Sequence, residues 1–199
     1  MSKRGDVWEN PATGERAVVL VGTAETRGDL LIADVHVRPG GGVPAEHHHP
    51  DIEERFTVLQ GRVGFKVAGV EYAGEPGMSV LVKPGEPHDW WNAGADEAVV
   101  RVEVRPAARF EAMIRTIFGL AQDGRVNAEG MPGLLQLAVF AREFDDVIRF
   151  TRPPRVVQRA LFGALAPVAW LCGYRGSYPE YLTREPANVG SGEWVELPA

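Results

Sequence analysis

The sequence predicts a β-sandwich or β-barrel followed by an α-helical extension, and three observations carry that prediction. The first half is a series of short apolar or alternating runs separated by turn residues at near-regular spacing. After Pro106 the hydrophobic period becomes that of a helix. The chain has 199 residues, 45% hydrophobic and 24% charged, which is ordinary for a globular protein and excludes intrinsic disorder. A chain of this length buries roughly 70% of its unfolded surface, so a core can hold it without crosslinks. With Cys172 as the single cysteine, neither an intramolecular disulfide nor a cysteine-based zinc cluster is available.

Seven runs read as strands: 17–21, 30–37, 54–60, 62–67, 79–82, 88–92 and 98–104. Between them lie Arg27-Gly28-Asp29, Pro39 to Gly42, Gly61, Gly74 to Gly77, Pro84-Gly85 and Gly94. From residue 107 the stripe Phe110, Met113, Ile114, Ile117, Phe118, Ala121 marks a first helix over 110–121. Leu137, Phe140, Ala141, Phe144, Val147 and Ile148 repeat the spacing in a second, over 134–148. Pro153 and Pro154 introduce a third over 156–172, with Pro167 inside it as an expected kink. Residues 160–172 are apolar on nearly all sides, so most of their surface is expected to be buried. The turn-rich, aromatic stretch 173–199 is expected to be irregular. The division is therefore a β-domain over 1–106 and a helical extension over 107–199.

The chemistry is concentrated in Gly41-Gly-Val-Pro-Ala-Glu-His47-His48-His49-Pro-Asp-Ile-Glu-Glu54 and onward to Gly61. Successive side chains of a strand point to opposite faces, so His47 and His49 share one face and His48 takes the other. Two imidazoles so placed can chelate one divalent ion, and a carboxylate from the next strand can join them. A solvated polar turn is the competing reading of an isolated His-x-His. A second segment, Gly77 to Asn92, contains an apolar strand, a Pro84-Gly85 turn and His88 opening another strand.

Together the two segments resemble the paired signature of the cupin family: a glycine, His-x-His, a glutamate and a closing glycine, then a glycine, a proline-x-glycine turn, a histidine and an asparagine. Gly41, His47, His49, Glu54 and Gly61 match the first; Gly77, Gly85, His88 and Asn92 match the second. Lys83 stands where the family has its proline, with Pro84 beside it to keep the turn. The resemblance spans roughly residues 30–105. It implies a double-stranded β-helix barrel with one metal bound by His47, His49, Glu54 and His88. Three imidazoles and a carboxylate with open positions suit Fe(II), Mn(II), Co(II), Ni(II) or Zn(II), and not Ca(II).

Parity then suggests the cavity lining. Phe56 and Val58 share the face of Glu54, and Trp90 shares that of His88, while Asp89 and Trp91 point away. Phe65 belongs to another alternating set, and Phe56, Phe65 and Trp90 are the expected substrate pocket. His36 reads as a structural histidine, His48 as outward-facing, Glu46, Asp51 and Glu53 as solvated charges, and Cys172 as a buried inert thiol.

Residues 1–106 carry a net charge of −6 and residues 107–199 none, so no basic face for nucleic acid is visible. No secretory signal pattern opens the sequence, and a cytoplasmic protein is expected. Three functions fit: an Fe(II)-dependent dioxygenase acting on an apolar or aromatic small molecule, a redox-neutral isomerase or lyase, and a non-catalytic ligand-binding barrel. A homodimer burying Phe162, Leu165 and Trp170 of the third helix is expected ahead of a membrane-surface contact, because that helix lacks a basic face.

Overall fold

The computed structural model describes residues 1–185. Its elements, in chain order, are β1 (Val7–Asn10), β2 (Glu15–Val21), α1 (Thr23–Thr26), β3 (Leu31–Val37), β4 (His47–His48), β5 (Glu53–Gln60), β6 (Val63–Val67), β7 (Val70–Gly74), β8 (Ser79–Val82), β9 (His88–Asn92) and β10 (Ala98–Arg105). The extension adds α2 (Ala108–Gln122), α3 (Leu134–Glu143), β11 (Arg149–Phe150), α4 (Arg155–Leu171) and α5 (Pro179–Thr183). A six-stranded sheet runs β1-β2-β3-β10-β5-β8 and a five-stranded one β11-β4-β9-β6-β7, with antiparallel pairing throughout.

Alternation decides which side of each strand is buried. In β3, Leu31, Ala33, Val35 and Val37 are buried while Ile32, Asp34 and His36 are half-exposed. On that outer face Asp34 sits opposite Arg101 of β10 and accepts two hydrogen bonds from its guanidinium, at 2.8 and 3.0 Å. Gly64 of β6 is glycine for a steric reason, since a Cβ there would fall 2.2 Å from the Trp91 indole packed over it. Gly61, the glycine that closes the first motif, turns the chain between β5 and β6 with φ +79.

The extension shares the barrel's core. Phe110, Met113 and Phe118 of α2, Phe140 of α3, and Phe144 and Val147 beyond it pack in one cluster with Phe56, Phe65, Trp90 and Val104. The second helix ends at Glu143, short of the expected 148. Val147 and Ile148 both donate their amides to the Phe144 carbonyl, a tight turn that delivers β11 to the edge of β4. The apolar residues after Glu143 keep helical spacing, but the unpaired edge of β4 offers their backbone a sheet partner instead.

The third helix is also less buried than expected. Only Gln158, Phe162, Ala166 and Ala169 of α4 are buried, with Ala166 and Ala169 against Val139 of α3. Leu165 is half-buried, Trp170 is 49% exposed, and Cys172 is exposed rather than a buried thiol. The cause is position: α4 packs against α3 through one face, and its other faces are exposed among the described residues. Part of the stretch expected to be irregular is ordered. Tyr178 and Tyr181 are buried around α5, where the Arg125 guanidinium donates to both hydroxyls; residues 186–199 lie outside the described residues. Among the described residues no helix is long and apolar enough to cross a membrane.

Candidate metal centre

Three elements bring the four motif residues together. His47 lies on β4, directly opposite His88 at the start of β9, and His49 follows β4 immediately. Glu54 is the second residue of β5, on its buried face with Phe56 and Val58. One ligand atom from each of His47, His49, Glu54 and His88 lies within 4.8 Å of all the others, and all four residues are buried. His48, on the opposite face, is half-buried and pairs across the sheet with Arg149.

The backbone sets which nitrogen of each ring faces inward. Nδ1 of His47 lies 2.9 Å from the Ala45 carbonyl, that of His49 2.6 Å from Val147, and that of His88 3.0 Å from Glu86. A carbonyl only accepts, so Nδ1 carries the hydrogen in each ring. In a neutral imidazole this leaves a lone pair on Nε2, directed at the centre. Glu54 Oε2 sits 2.8 Å from His88 Nε2 and 3.2 Å from His49 Nε2, and all three atoms are buried without a well-formed hydrogen bond. Buried polar atoms that converge with nothing between them are uncompensated unless a cation joins them. The donor set therefore fits one divalent transition metal ion.

Electrostatics agree. Burial, with His88 and His49 adding repulsion, pushes the His47 imidazole down to about 3, so it is neutral and ready to bind metal at ordinary pH. Burial alone would raise the Glu54 carboxyl; His49 and His88 beside it more than reverse this and hold it well below the usual carboxylate range.

Other motif positions brace the site. The Gly85 amide of the Pro84-Gly85 turn donates to the His49 carbonyl at 2.7 Å, tying the second motif to the first with Lys83 in place. The Asn92 amide donates to the carbonyls of Val37 and Asp96 at 2.8 Å each. His36 is held by Glu97 at 3.0 Å, a structural contact. Glu46 is more than a solvated charge: it pairs with Lys66 at 3.1 Å and accepts from Thr151 at 2.8 Å, joining β11's flank to the barrel.

Beside the tetrad lies a cavity of about 150 Å³. Phe56 and Trp90 line it, as parity predicted, together with Phe110, Met113, Ile117 and Phe118 of α2 and Leu137 and Phe140 of α3. Phe65 does not. It is fully buried one layer behind, stacked on Phe56 and Tyr72 at ring distances of 5.9 and 6.2 Å, because its strand turns that face into the barrel core. Among the described residues no Lys or Arg lines the cavity, and the Asn and Glu side chains that line it beyond the tetrad are Asn10 and Glu15.

Sequence reasoning missed the Val147 carbonyl, Glu15 and Trp8. Nothing local links Val147 to His49, 98 positions earlier. Glu15 carried a signal: continuing the alternation of Ala17 and Val19 back by two residues places it on the buried face.

Two antiparallel sheets with three histidines and a glutamate converging inside them define a jelly-roll barrel whose interior could hold a metal ion. Residues 33–104 match the cupin domain family, and the barrel of this chain is a cupin domain, here carrying C-terminal helices. No curated protein matches the chain. Solved structures similar to it include KdgF from Halomonas sp., at 18% identity over 52% of this chain and 89% of that one, with a TM-score of 0.46. An RmlC-like cupin from Shewanella frigidimarina is 18% identical over 54% and 88%, also at 0.46. A sugar phosphate isomerase of the cupin superfamily from Silicibacter pomeroyi is 19% identical over 52% and 69%, at 0.43.

Proposed function

We propose that this chain is a metal-dependent enzyme acting on a small apolar or aromatic molecule, and that it is an Fe(II)-dependent dioxygenase. The observation that carries this reading is the pairing of a His₃Glu donor set with an aromatic cavity free of Lys and Arg. A phosphorylated or otherwise anionic substrate would find no cationic side chain in that lining, whereas an aromatic ring finds Phe56, Trp90 and Phe110. The volume is that of a cavity known to hold one benzene ring.

His47, His49, Glu54 and His88 would hold the ion. When bound, Fe(II) supplies the means for O₂ to react with a closed-shell organic molecule. The protein's part is orientation and an apolar setting. The carbonyls of Ala45, Glu86 and Val147 lock the imidazoles, and Phe110 packs edge-on against His49 at 5.6 Å. The α2 and α3 side chains give the cavity an apolar wall. The reaction proposed is oxidative cleavage of a carbon–carbon bond, in which the substrate takes both oxygen atoms and itself gives up the four electrons that O₂ accepts, so no reductant site is required.

The test is reconstitution with Fe(II), Mn(II), Co(II), Ni(II) or Zn(II), followed by O₂ uptake across a panel of single-ring aromatic and alicyclic compounds. Substrate-dependent O₂ consumption with Fe(II) and none with Zn(II) is the expected result. Conversion at equal rate with Zn(II) and no O₂ uptake would establish redox-neutral chemistry instead. Binding without conversion under every metal would make the barrel a ligand carrier. The His47→Ala/His49→Ala variant should keep its fold and retain well under one metal ion per chain; full occupancy would refute the tetrad.

A further inference from the structure

We infer that Glu15 and Trp8 form a second polar subsite of the cavity, which takes a hydroxyl group on an otherwise apolar ligand. The inference rests on the cavity being the substrate site, as proposed above, and adds what the substrate carries away from the metal.

Both residues line the cavity and both are more than nine-tenths buried. They are neighbours on one face: Asn10 lies opposite Glu15 and Trp8 opposite Ala17, which makes Trp8 and Glu15 a diagonal cross-strand pair. Such pairs sit about 7–8 Å apart at the backbone, within reach of a common group for side chains this long. Each has unused hydrogen-bonding capacity. The Trp8 indole N–H is buried with no partner among the described residues. Glu15 Oε2 accepts from Thr13 Oγ1 at 2.6 Å, the one hydrogen bond to this carboxyl among the described residues. A buried indole N–H left open is costly unless a ligand completes it, and the Glu15 carboxyl on the same face of the cavity can engage the same group. A hydroxyl does both through one atom, accepting from the indole N–H and donating to the carboxyl oxygen.

The subsite is not an extension of the metal centre. Glu15 lies opposite Val37 of β3, whereas Glu54 lies opposite Val104, itself opposite Leu31 at the other end of β3. Three strand steps and the length of β3 thus separate the two carboxyls. Burial also pushes the Glu15 carboxyl up to about 7, as a group held in an apolar pocket should be.

Phenol and toluene serve as probes, being alike in size and differing by the hydroxyl. Their dissociation constants would be measured by ligand-observed NMR on the Zn(II)-loaded protein, on Glu15→Ala, on Trp8→Phe and on His47→Ala/His49→Ala. The expected result is a preference for phenol of about tenfold or more, lost in Glu15→Ala, reduced several-fold in Trp8→Phe, and retained in the double-histidine variant. Trp8→Phe keeps the ring and the fold, so it stands if Glu15→Ala is unstable. A preference that survives both Glu15→Ala and Trp8→Phe overturns the subsite; so does one that disappears with the metal ligands alone, since the hydroxyl would then be on the metal. Failure of phenol to bind also overturns it. Absence of metal uptake with the Glu15 dependence intact would instead sink the metal reading and leave the subsite standing.

Discussion

Glu15 and Glu54 show how one residue type acquires two characters inside one barrel. Glu54 has imidazoles around it and stays ionised, whereas Glu15 has only the Thr13 hydroxyl against full burial and is raised from 4.5 to about 7. The consequence for stability has a definite sign. Below pH 4.5 Glu15 is protonated in both the folded and the unfolded chain. Between 4.5 and 7 the unfolded chain releases a proton that the folded chain keeps, so stability falls as pH rises through that window. The loss is at most about 3 kcal/mol and is complete above pH 7. Glu15→Gln removes it. Urea unfolding should show the variant gaining on the wild type by up to that amount at pH 8, with little difference at pH 4.5; an equal shift at both pH values would refute the assignment.

At the scale of elements, the helical extension builds part of the candidate metal centre. The turn after α3 presents the Val147 carbonyl to His49, and β11 continues the sheet beside His47. Phe144, fully buried and stacked on Phe140 at 5.1 Å, anchors that turn. Phe144→Ala should therefore do two things. It should destabilise the protein by about 3–5 kcal/mol through cavity formation. It should also weaken metal binding by roughly 10–100-fold, as loss of an outer hydrogen bond to a ligating histidine does. Denaturant unfolding and a chelator competition titration measure the two separately; unchanged affinity in the folded variant would show that the Val147 contact is dispensable. The first motif and both strands of the second could be read from sequence at these positions, because a strand's alternation is local. The two-residue strand β11 could not, being too short to display a period.

At the scale of the molecule, the outer face of α4 is unusual. Val157, Leu161, Ala164, Val168 and Leu171 are all exposed and recur at intervals of four and three, the spacing of a seam between paired helices. Phe162, which the sequence suggested for a subunit contact, is instead buried within the chain. Self-association should run along the exposed stripe. Light scattering is expected to give about twice the 21.7 kDa chain mass, and Leu161→Glu/Val168→Glu to restore the monomer. A monodisperse monomer of the wild type at high concentration would dispose of this arrangement.

The sequence by itself determined the barrel, its inward faces and the tetrad. Strand parity and motif spacing act over a few residues, and Gly61 and Gly85 mark turns that hardly any other residue could make. Only the tertiary structure decided what surrounds the tetrad. The end of α3 at Glu143, the reach of Val147 back to His49 and the pairing of Trp8 with Glu15 across β1 and β2 depend on segments meeting in space. The same apolar spacing serves a helix or a turn, and the choice between them belongs to the sheet edge that is waiting for a partner.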